Sequence, residues 1–171
     1  RPDEATEVPS RLDERDGRAG LSWVSNRRLA FIRDTDFPSA WAMDLDGANP
    51  RRLSEGAIAE NPATTPDGQQ ILFTSDRDGR FELYTMSPDG SDVRRLTNAE
   101  GSSAHSSWSP DGQWIMFTSG RKGFKDEMVM SEGVPQPYGE LFVMHADGSG
   151  VRQLTDNKWE DAVAGWAPEK K

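Results

Sequence analysis

The residues of this chain that could most readily take part in catalysis or metal binding are two histidines and a few pairs of carboxylates. His105 and His145 are the only histidines, and the sequence contains no cysteine. A protein zinc site needs three or four converging ligands. The run Gly101-Ser-Ser-Ala-His105 does not fit the Gly-x-Ser-x-Gly pattern of a nucleophile elbow. We therefore predict no catalytic residue and no metal ligand among these groups.

The acidic pairs Asp44-Leu-Asp46-Gly47 and Asp76-Arg-Asp78-Gly79 resemble the start of a calcium-binding loop. The full twelve-residue pattern, with a third acidic position and a terminal Glu, is missing. Asp followed closely by Gly also forms tight turns, because Asp bonds to its own backbone and Gly accepts positive φ. We interpret both pairs as turns.

A motif that recurs three times organises the elements around these residues. It runs from Met43 to Leu53, from Met86 to Leu96 and from Met144 to Leu154. Leu53 and Leu96 are 43 residues apart, whereas Leu96 and Leu154 are 58 apart. A period of about 40 to 45 residues with short strands is typical of the four-stranded blades of a β-propeller. The longer interval indicates an insertion in one repeat.

Each repeat reads as four short strands separated by tight turns. In the middle repeat, the apolar run 71–75 and the alternating runs 81–86 and 93–97 have strand character. Pro-Asp-Gly at 66–68 and 110–112 predicts turns after the innermost strands. We predict an all-β chain of three four-stranded blades with Phe31, Phe73 and Phe117 buried between blades. The predicted ranges are 1–20 for an N-terminal segment with the outer strand of a preceding blade, 21–64, 65–108 and 109–166 for the blades, and 167–171 for a tail.

Several linked motifs resemble the repeats of TolB-type propellers over about residues 8–168. They are the Phe-Thr-Ser-x-Arg-x-Gly run at 73–79 and 117–123, the Ser-Pro-Asp-Gly turn at 109–112, and the Leu-Tyr-x-Met or Leu-Phe-Val-Met strand before Asp-Gly-Ser. The resemblance implies a ring of about six blades in the periplasm or cell exterior. It implies either a non-catalytic protein-binding or scaffold propeller of the cell envelope, or the propeller part of an enzyme. In the second case, that of a peptidase cap, a lyase or a lactonase-like protein, the catalytic residues lie outside this chain.

The most variable connections are predicted to share one face of the propeller, opposite the repeated turns. Variable loops on a rigid scaffold are where binding function concentrates. The insertion at 122–139 is rich in Met, aromatic and Pro residues, which suit either a partner-docking patch or a loop that folds back over the neighbouring blade or the channel mouth. The predicted partner-binding residues are Phe124, Met128, Met130, Tyr138, His105, Glu160 and Asp161.

Charge restricts the partners. The net charge of −9 predicts repulsion from nucleic acid and from anionic membrane surfaces, and no run approaches the roughly 20 apolar residues of a membrane span. No cofactor is predicted, although carboxylates near the channel mouth could hold calcium or another cation. Arginines on the outermost strands are interpreted as protection against edge pairing, with an anion-binding stripe as the alternative. They are Arg51, Arg52, Arg94, Arg95 and Arg152.

Both ends of the chain predict a need for further blades. Leu12 precedes Trp23 by the spacing that separates an outer strand from the next inner strand, and Trp166 marks an inner strand of its own. An outer strand and an inner strand without the two strands between them cannot close a ring, and propellers typically use about four to eight blades. We therefore expect the chain to occur with other polypeptide, either blades of a longer parent or further copies of itself.

Overall fold

The computed structural model describes residues 22–25, 27–33, 38–54, 59–122, 139–157, 161 and 165–167. These residues form twelve strands and no helix, so this part of the chain contains no helix able to cross a membrane. The strands are β1 Ser22–Ser25, β2 Arg28–Arg33, β3 Ser39–Asp44, β4 Arg51–Arg52, β5 Ala59–Thr64, β6 Ile71–Ser75, β7 Glu82–Met86, β8 Arg94–Arg95, β9 Ser103–Trp108, β10 Trp114–Ser119, β11 Glu140–His145 and β12 Arg152–Gln153.

The strands pair in chain order into three four-stranded antiparallel sheets, β1–β4, β5–β8 and β9–β12, which we call blades one, two and three. The predicted all-β architecture of three four-stranded blades is confirmed. The inner strands lie side by side, since β1 contacts β5 and β5 contacts β9.

The strand pairing places the blade boundaries differently from the predicted ranges. The ranges 21–64 and 65–108 each end with an inner strand, β5 or β9, that pairs with the strands that follow it. The reason is that the Pro-Asp-Gly turn links the first two strands of one blade and does not link two blades. The segment 1–20, most of the insertion 122–139 and most of the tail 167–171 lie outside the described residues.

Local turn chemistry explains the repeated links. In the turn after β5, the Gly68 N–H donates to the Thr65 carbonyl at 2.8 Å, and Gly68 has a φ of +71°. The Asp67 carboxylate accepts the Thr65 hydroxyl at 2.6 Å and the Gln69 N–H at 3.0 Å. The Asp46 carboxylate likewise accepts the Ala48 N–H at 2.9 Å, so this acidic residue of the Asp44–Gly47 run forms a turn.

The core lies between the blades. One buried cluster joins blades one and two and contains Ile32, Phe73 and Tyr84; the other joins blades two and three and contains Leu83 and Phe117. Apolar side chains on facing sheets are thereby removed from water, which is the main stabilising term for such a fold. The prediction that Phe73 and Phe117 are buried between blades is confirmed, and Phe31 is buried as well.

Two inner strands carry the same irregularity. In β5 and in β9 the register shifts by one residue against the next strand, which is the signature of a β-bulge. Asn61 and His105 lie in these bulges with φ values of +50° and +49°. Asn and His are among the few non-glycine residues that enter this left-handed region with any frequency.

Because successive strands run in opposite directions, the links between them lie on two opposite sides of the blades. We call the links within strand pairs β1–β2 and β3–β4, and their equivalents, the turn face; its described residues are 27, 45–50, 65–70, 87–93, 109–113 and 146–151. The opposite side is the loop face, and its described residues are 38, 53–54, 76–81, 96–102, 120–122, 139, 154–157 and 161. Loops of neighbouring blades touch on this side: a Cβ on Gly101 would lie 2.6 Å from the Gly120 carbonyl oxygen.

Candidate functional site

Two of the seven predicted partner-binding residues, His105 and Asp161, fall within the described residues. Phe124, Met128, Met130, Tyr138 and Glu160 lie outside them, so the docking patch stays a prediction. Asp161 forms a β-bridge with Gly139, and its N–H donates to the Gly139 carbonyl at 2.8 Å. The base of the insertion is therefore joined to the segment that follows blade three.

The two histidines lie at opposite ends of blade three, as predicted. His105 lies in β9 near the loop face, where burial lowers the pKa of its imidazole, so the neutral form is favoured there. His145 ends β11 at the turn face, opposite Trp114, and the two rings are 4.1 Å apart between centroids. The two side chains therefore do not converge on a single metal ion.

A buried carboxylate sits at the edge of the loop face in blade two. Glu82 begins β7 and is fully buried. It accepts hydrogen bonds from the Thr97 hydroxyl, from Arg95 Nη2 at 2.9 Å and from the Ala99 N–H at 3.2 Å. A buried charge is tolerated when it is paired and hydrogen-bonded. Thr97 also accepts the Leu83 N–H at 2.9 Å, which ties the start of the blade-linking loop to β7.

Blade three repeats this arrangement around Glu140. Its carboxylate accepts the Thr155 hydroxyl at 2.6 Å and the Asn157 N–H at 3.3 Å. In blade one a serine, Ser39, stands at the corresponding position, and Ser54 accepts the Ala40 N–H at 2.9 Å. This pairing of a buried Glu with a Thr was not predicted. The sequence does carry a signal for it, because Glu-Leu-aromatic occurs at 82–84 and 140–142, and a Thr follows 15 residues after each Glu.

The second arginine of the outer strand belongs to the same network. Arg95 Nε donates to the Thr97 carbonyl at 2.6 Å, and Arg52 Nε donates to the Ser54 carbonyl at 2.7 Å. These two arginines therefore hold the end of the outer strand, a role that the interpretation of edge protection did not include. Arg51, Arg94 and Arg152 are exposed on their outer strands.

The network extends outward to the surface of the loop face. Asp78 lies 3.4 Å from Arg95 Nη1 and accepts the Tyr84 hydroxyl at 2.8 Å. Burial, the hydrogen bond to Asp78 and the charge of Asp78 raise the pKa of Tyr84 to about 12. Arg77 lies over the rings of Phe73 and Tyr84, 5.3 and 5.2 Å from their centroids. The result is a charged, hydrogen-bonded surface at the loop-face end of blade two.

Arg121 is the corresponding arginine of blade three. Its guanidinium lies 4.7 Å from the Phe142 centroid and 5.2 Å from that of Phe117, and its Nε donates to the Ser119 hydroxyl at 3.0 Å. Burial lowers the pKa of Arg121, and the negative charge of Glu82 in the neighbouring blade acts in the opposite sense. The motif Ser-x-Arg-x-Gly therefore places a cation on the aromatic pair of its own blade.

The described residues contain no group of three or more His, Cys, Asp or Glu side chains placed to hold a metal ion. The predicted cation near the channel mouth stays a prediction. What the site offers chemically is a set of fixed polar groups on the loop face, which can form hydrogen bonds and ion pairs with a macromolecular surface.

Three consecutive four-stranded antiparallel blades with adjoining inner strands define this chain as a β-propeller protein. The TolB beta propeller domain model matches residues 25–136, and the chain belongs to that family.

Individual relatives agree with this assignment. The chain is 35% identical over 127 residues to the Tol-Pal system protein TolB of Anaeromyxobacter dehalogenans, a match that covers 72% of this chain and 25% of that protein. The chain thus spans about a quarter of the length of the curated relatives it matches.

Solved structures show the same fold. A candidate TolB from Agrobacterium tumefaciens aligns with a TM-score of 0.68 at 24% identity, covering 82% of this chain and 50% of that one. TolB from Acinetobacter baumannii aligns with a TM-score of 0.60 at 22% identity, covering 84% and 34%. Enzyme propellers share the fold too: dipeptidyl peptidase 4 of Porphyromonas gingivalis aligns at a TM-score of 0.57 and 18% identity, covering 81% and 18%.

Proposed function

We propose that this chain is a non-catalytic protein-binding or scaffold propeller of the cell envelope, which docks a partner through its loop face. The observation that carries the proposal is the network built on Glu82. It holds Asp78 and Arg95 at the surface, so their charges are fixed before any partner arrives. Groups that are already ordered lose less entropy on binding, which favours affinity.

The chemistry of the described site supports binding over catalysis. Its charged groups are engaged with one another or with backbone atoms, and the two histidines lie at opposite ends of blade three. The sequence predicts that the apolar insertion at 122–139 supplies the adaptable part of the contact. The proposal needs no cofactor.

Similarity to a Tol-Pal system protein suggests the kind of partner and the compartment. We infer a periplasmic or extracellular location and a protein partner that belongs to a Tol-Pal system of the same organism. Further propeller blades, from a longer parent chain or from further copies, complete the scaffold in this proposal, because three blades are fewer than the roughly four to eight of known propellers.

Site-specific photo-crosslinking in the native host tests the docking face. A photoreactive amino acid at position 80 stands on the loop face, and one at position 69 stands on the turn face; Arg80 and Gln69 are both exposed. We expect position 80 to give a crosslink that mass spectrometry identifies as a Tol-Pal component, and position 69 to give none. Equal crosslinking from both positions, or a crosslink from position 69 alone, would overturn the proposal.

A second test measures, by calorimetry, how tightly the chain binds the purified Tol-Pal component that the crosslink identifies. Arg80→Glu reverses one exposed charge on the loop face, and Gln69→Glu introduces the same group on the turn face as a matched control. Reversal of a charge at an interface rim mainly slows association and changes its salt dependence. We expect the affinity to fall for Arg80→Glu only.

A further inference from the structure

Blades two and three meet in one corner of the loop face, where backbone hydrogen bonds join them. The Ser103 N–H donates to the Phe81 carbonyl at 2.8 Å, and the Gly120 N–H donates to the Ser102 carbonyl at 3.0 Å. The chain before β7 and the chain after β10 are therefore both attached to the segment that leads into β9. We call residues 80–81, 98–103 and 120–122 the junction corner.

Three cations belong to the junction corner. Arg80 is exposed, and its Nη1 donates to the Ala99 carbonyl at 3.2 Å. Arg121 is half-buried on its aromatic pair, and its Nη2 donates to the Ser103 hydroxyl at 3.4 Å. Lys122 comes next in the chain and is exposed. The guanidinium groups of blades two and three thus both bind the one short segment 98–103.

Neither guanidinium has a carboxylate partner in the part of the chain that the structure describes. No described Asp or Glu oxygen lies within 4.0 Å of a nitrogen of Arg80 or Arg121. Glu82, whose charge acts on Arg121, is already bound to Arg95 at 2.9 Å. Glu100 is the only acidic residue of the junction corner. The corner therefore has an excess of positive charge in a chain whose net charge is −9.

Blade two has the same stacked arginine in a different charge setting. Its run 75–79 reads Ser-Asp-Arg-Asp-Gly, whereas the run 119–123 of blade three reads Ser-Gly-Arg-Lys-Gly. Arg77 is therefore flanked by two carboxylates, and Arg121 by a glycine and a lysine. Because the arginine lies over the aromatic pair in both blades, the fold does not require the excess positive charge of blade three.

The surroundings of Arg121 suit it to bind a carboxylate. Phe117 and Phe142 support its guanidinium, and the Ser119 hydroxyl accepts from its Nε at 3.0 Å. A guanidinium held in one plane can donate two parallel hydrogen bonds to a carboxylate. Its partial burial lowers the pKa of Arg121, so a carboxylate brought to it would compensate a charge that water compensates incompletely. A side chain ordered in advance also loses less entropy on binding.

We propose that the junction corner binds acidic side chains, so that the partner docked at the loop face presents an Asp- or Glu-rich segment to Arg121, Arg80 and Lys122. This inference rests on the proposed docking function and specifies the chemistry of the partner. A short acidic segment places few negative charges outside the corner. A nucleic acid carries charge along its whole length and meets the repulsion of the rest of this acidic chain.

Fluorescence anisotropy with a labelled hexaglutamate peptide tests the proposal. At an ionic strength of about 0.15 M, exposed charges more than about 8 Å away are largely screened, so the signal depends on the groups near the peptide. We expect hexaglutamate to bind, and Arg121→Gln to raise its dissociation constant by about tenfold. Arg51→Gln removes the same charge from an exposed outer strand and should change the constant by less than about twofold. Arg77→Gln removes a stacked arginine outside the corner and should have an equally small effect.

Two further variants separate carboxylate binding from damage to the fold. Glu100→Gln removes the only negative charge of the junction corner and should lower the dissociation constant by about two- to threefold. Arg121→Lys keeps the charge but loses the planar fork, so it should weaken binding. Thermal unfolding of each variant verifies that it is folded under the conditions of the titration.

Four results would overturn the inference. They are no binding of hexaglutamate at concentrations up to about 1 mM, equal losses for Arg121→Gln and Arg51→Gln, full affinity in Arg121→Lys, and an oligothymidylate of equal charge that binds with the same dependence on Arg121. The photo-crosslink from position 80 keeps the two proposals apart. A crosslink to a Tol-Pal component without hexaglutamate binding overturns this inference and leaves the docking function intact, whereas hexaglutamate binding without a crosslink overturns the docking function.

Discussion

At the scale of single residues, the carboxylate of Glu82 is the group on which the loop face of blade two depends. We expect Glu82→Gln to lower the free energy of unfolding by about 2 kcal/mol or more, because hydrogen bonds to a charged group each contribute about 1.5 to 3 kcal/mol. Urea unfolding measures the change. Glu100→Gln, at an exposed position of the same blade, should stay within about 0.5 kcal/mol. Equal losses for the two variants would contradict a special role for Glu82.

The raised pKa of Tyr84 predicts that the stability of the folded protein falls at alkaline pH. Its pKa is raised from 10.0 to about 12 in the folded protein, first by burial and then by the hydrogen bond to Asp78. Between these values the folded state keeps a proton that the unfolded state has lost, so the stability that Tyr84 contributes is complete below pH 10 and falls as the pH rises towards 12.

The phenolate absorbance of the two tyrosines follows this titration directly. We expect one tyrosine to titrate late, and Tyr84→Phe to remove that late step and to flatten the decline of stability above pH 10. A late titration that persists in Tyr84→Phe would assign the raised pKa to the wrong residue.

At the scale of elements, the turn glycines separate the strain of a single turn from the packing between blades. Gly79 and Gly90 both have positive φ, +97° and +83°, but a Cβ on Gly79 would contact nothing within 4 Å, whereas one on Gly90 would meet the backbone of Leu53. Alanine at either position costs about 1 to 2 kcal/mol of left-handed strain. We expect Gly90→Ala to cost clearly more than Gly79→Ala in thermal unfolding. Equal costs would mean that the turn does not press on the preceding blade.

The sequence was sufficient for the elements whose cause is local. The Pro-Asp-Gly turns, the strand at 82–86 and the buried Phe73 and Phe117 all follow from periodicity and turn chemistry. The contact of Glu82 with Arg95 was not predicted, because a Glu at the start of a strand and an Arg on an outer strand each have an ordinary solvent-facing interpretation. Only the pairing of β7 with β8 brings them together. The blade boundaries were misplaced for the related reason that a turn marker does not say which sheet an inner strand joins.

At the scale of the whole molecule, the blades are stabilised by their neighbours. Each of the two core clusters combines buried residues of two neighbouring sheets. Stability in such arrays is approximately the sum of what each repeat contributes and what each junction contributes. Hydrogen bonds add to these junctions: Trp108 Nε1 donates to the Ala63 carbonyl at 3.1 Å, and Arg94 Nη2 donates to the Asp147 carbonyl at 3.1 Å.

Two tryptophans at corresponding repeat positions test whether the junctions between blades supply the stability. Trp108 is 8% exposed and joins blades two and three, whereas Trp23 is 61% exposed on the flank of blade one. Trp108→Ala should cost about 3 to 5 kcal/mol of unfolding free energy, and Trp23→Ala about 0.5 kcal/mol or less in dilute protein. Denaturant titrations of the two variants measure both costs, and a cost for Trp23→Ala as large as that for Trp108→Ala would contradict the inference that the junction between blades supplies the stability.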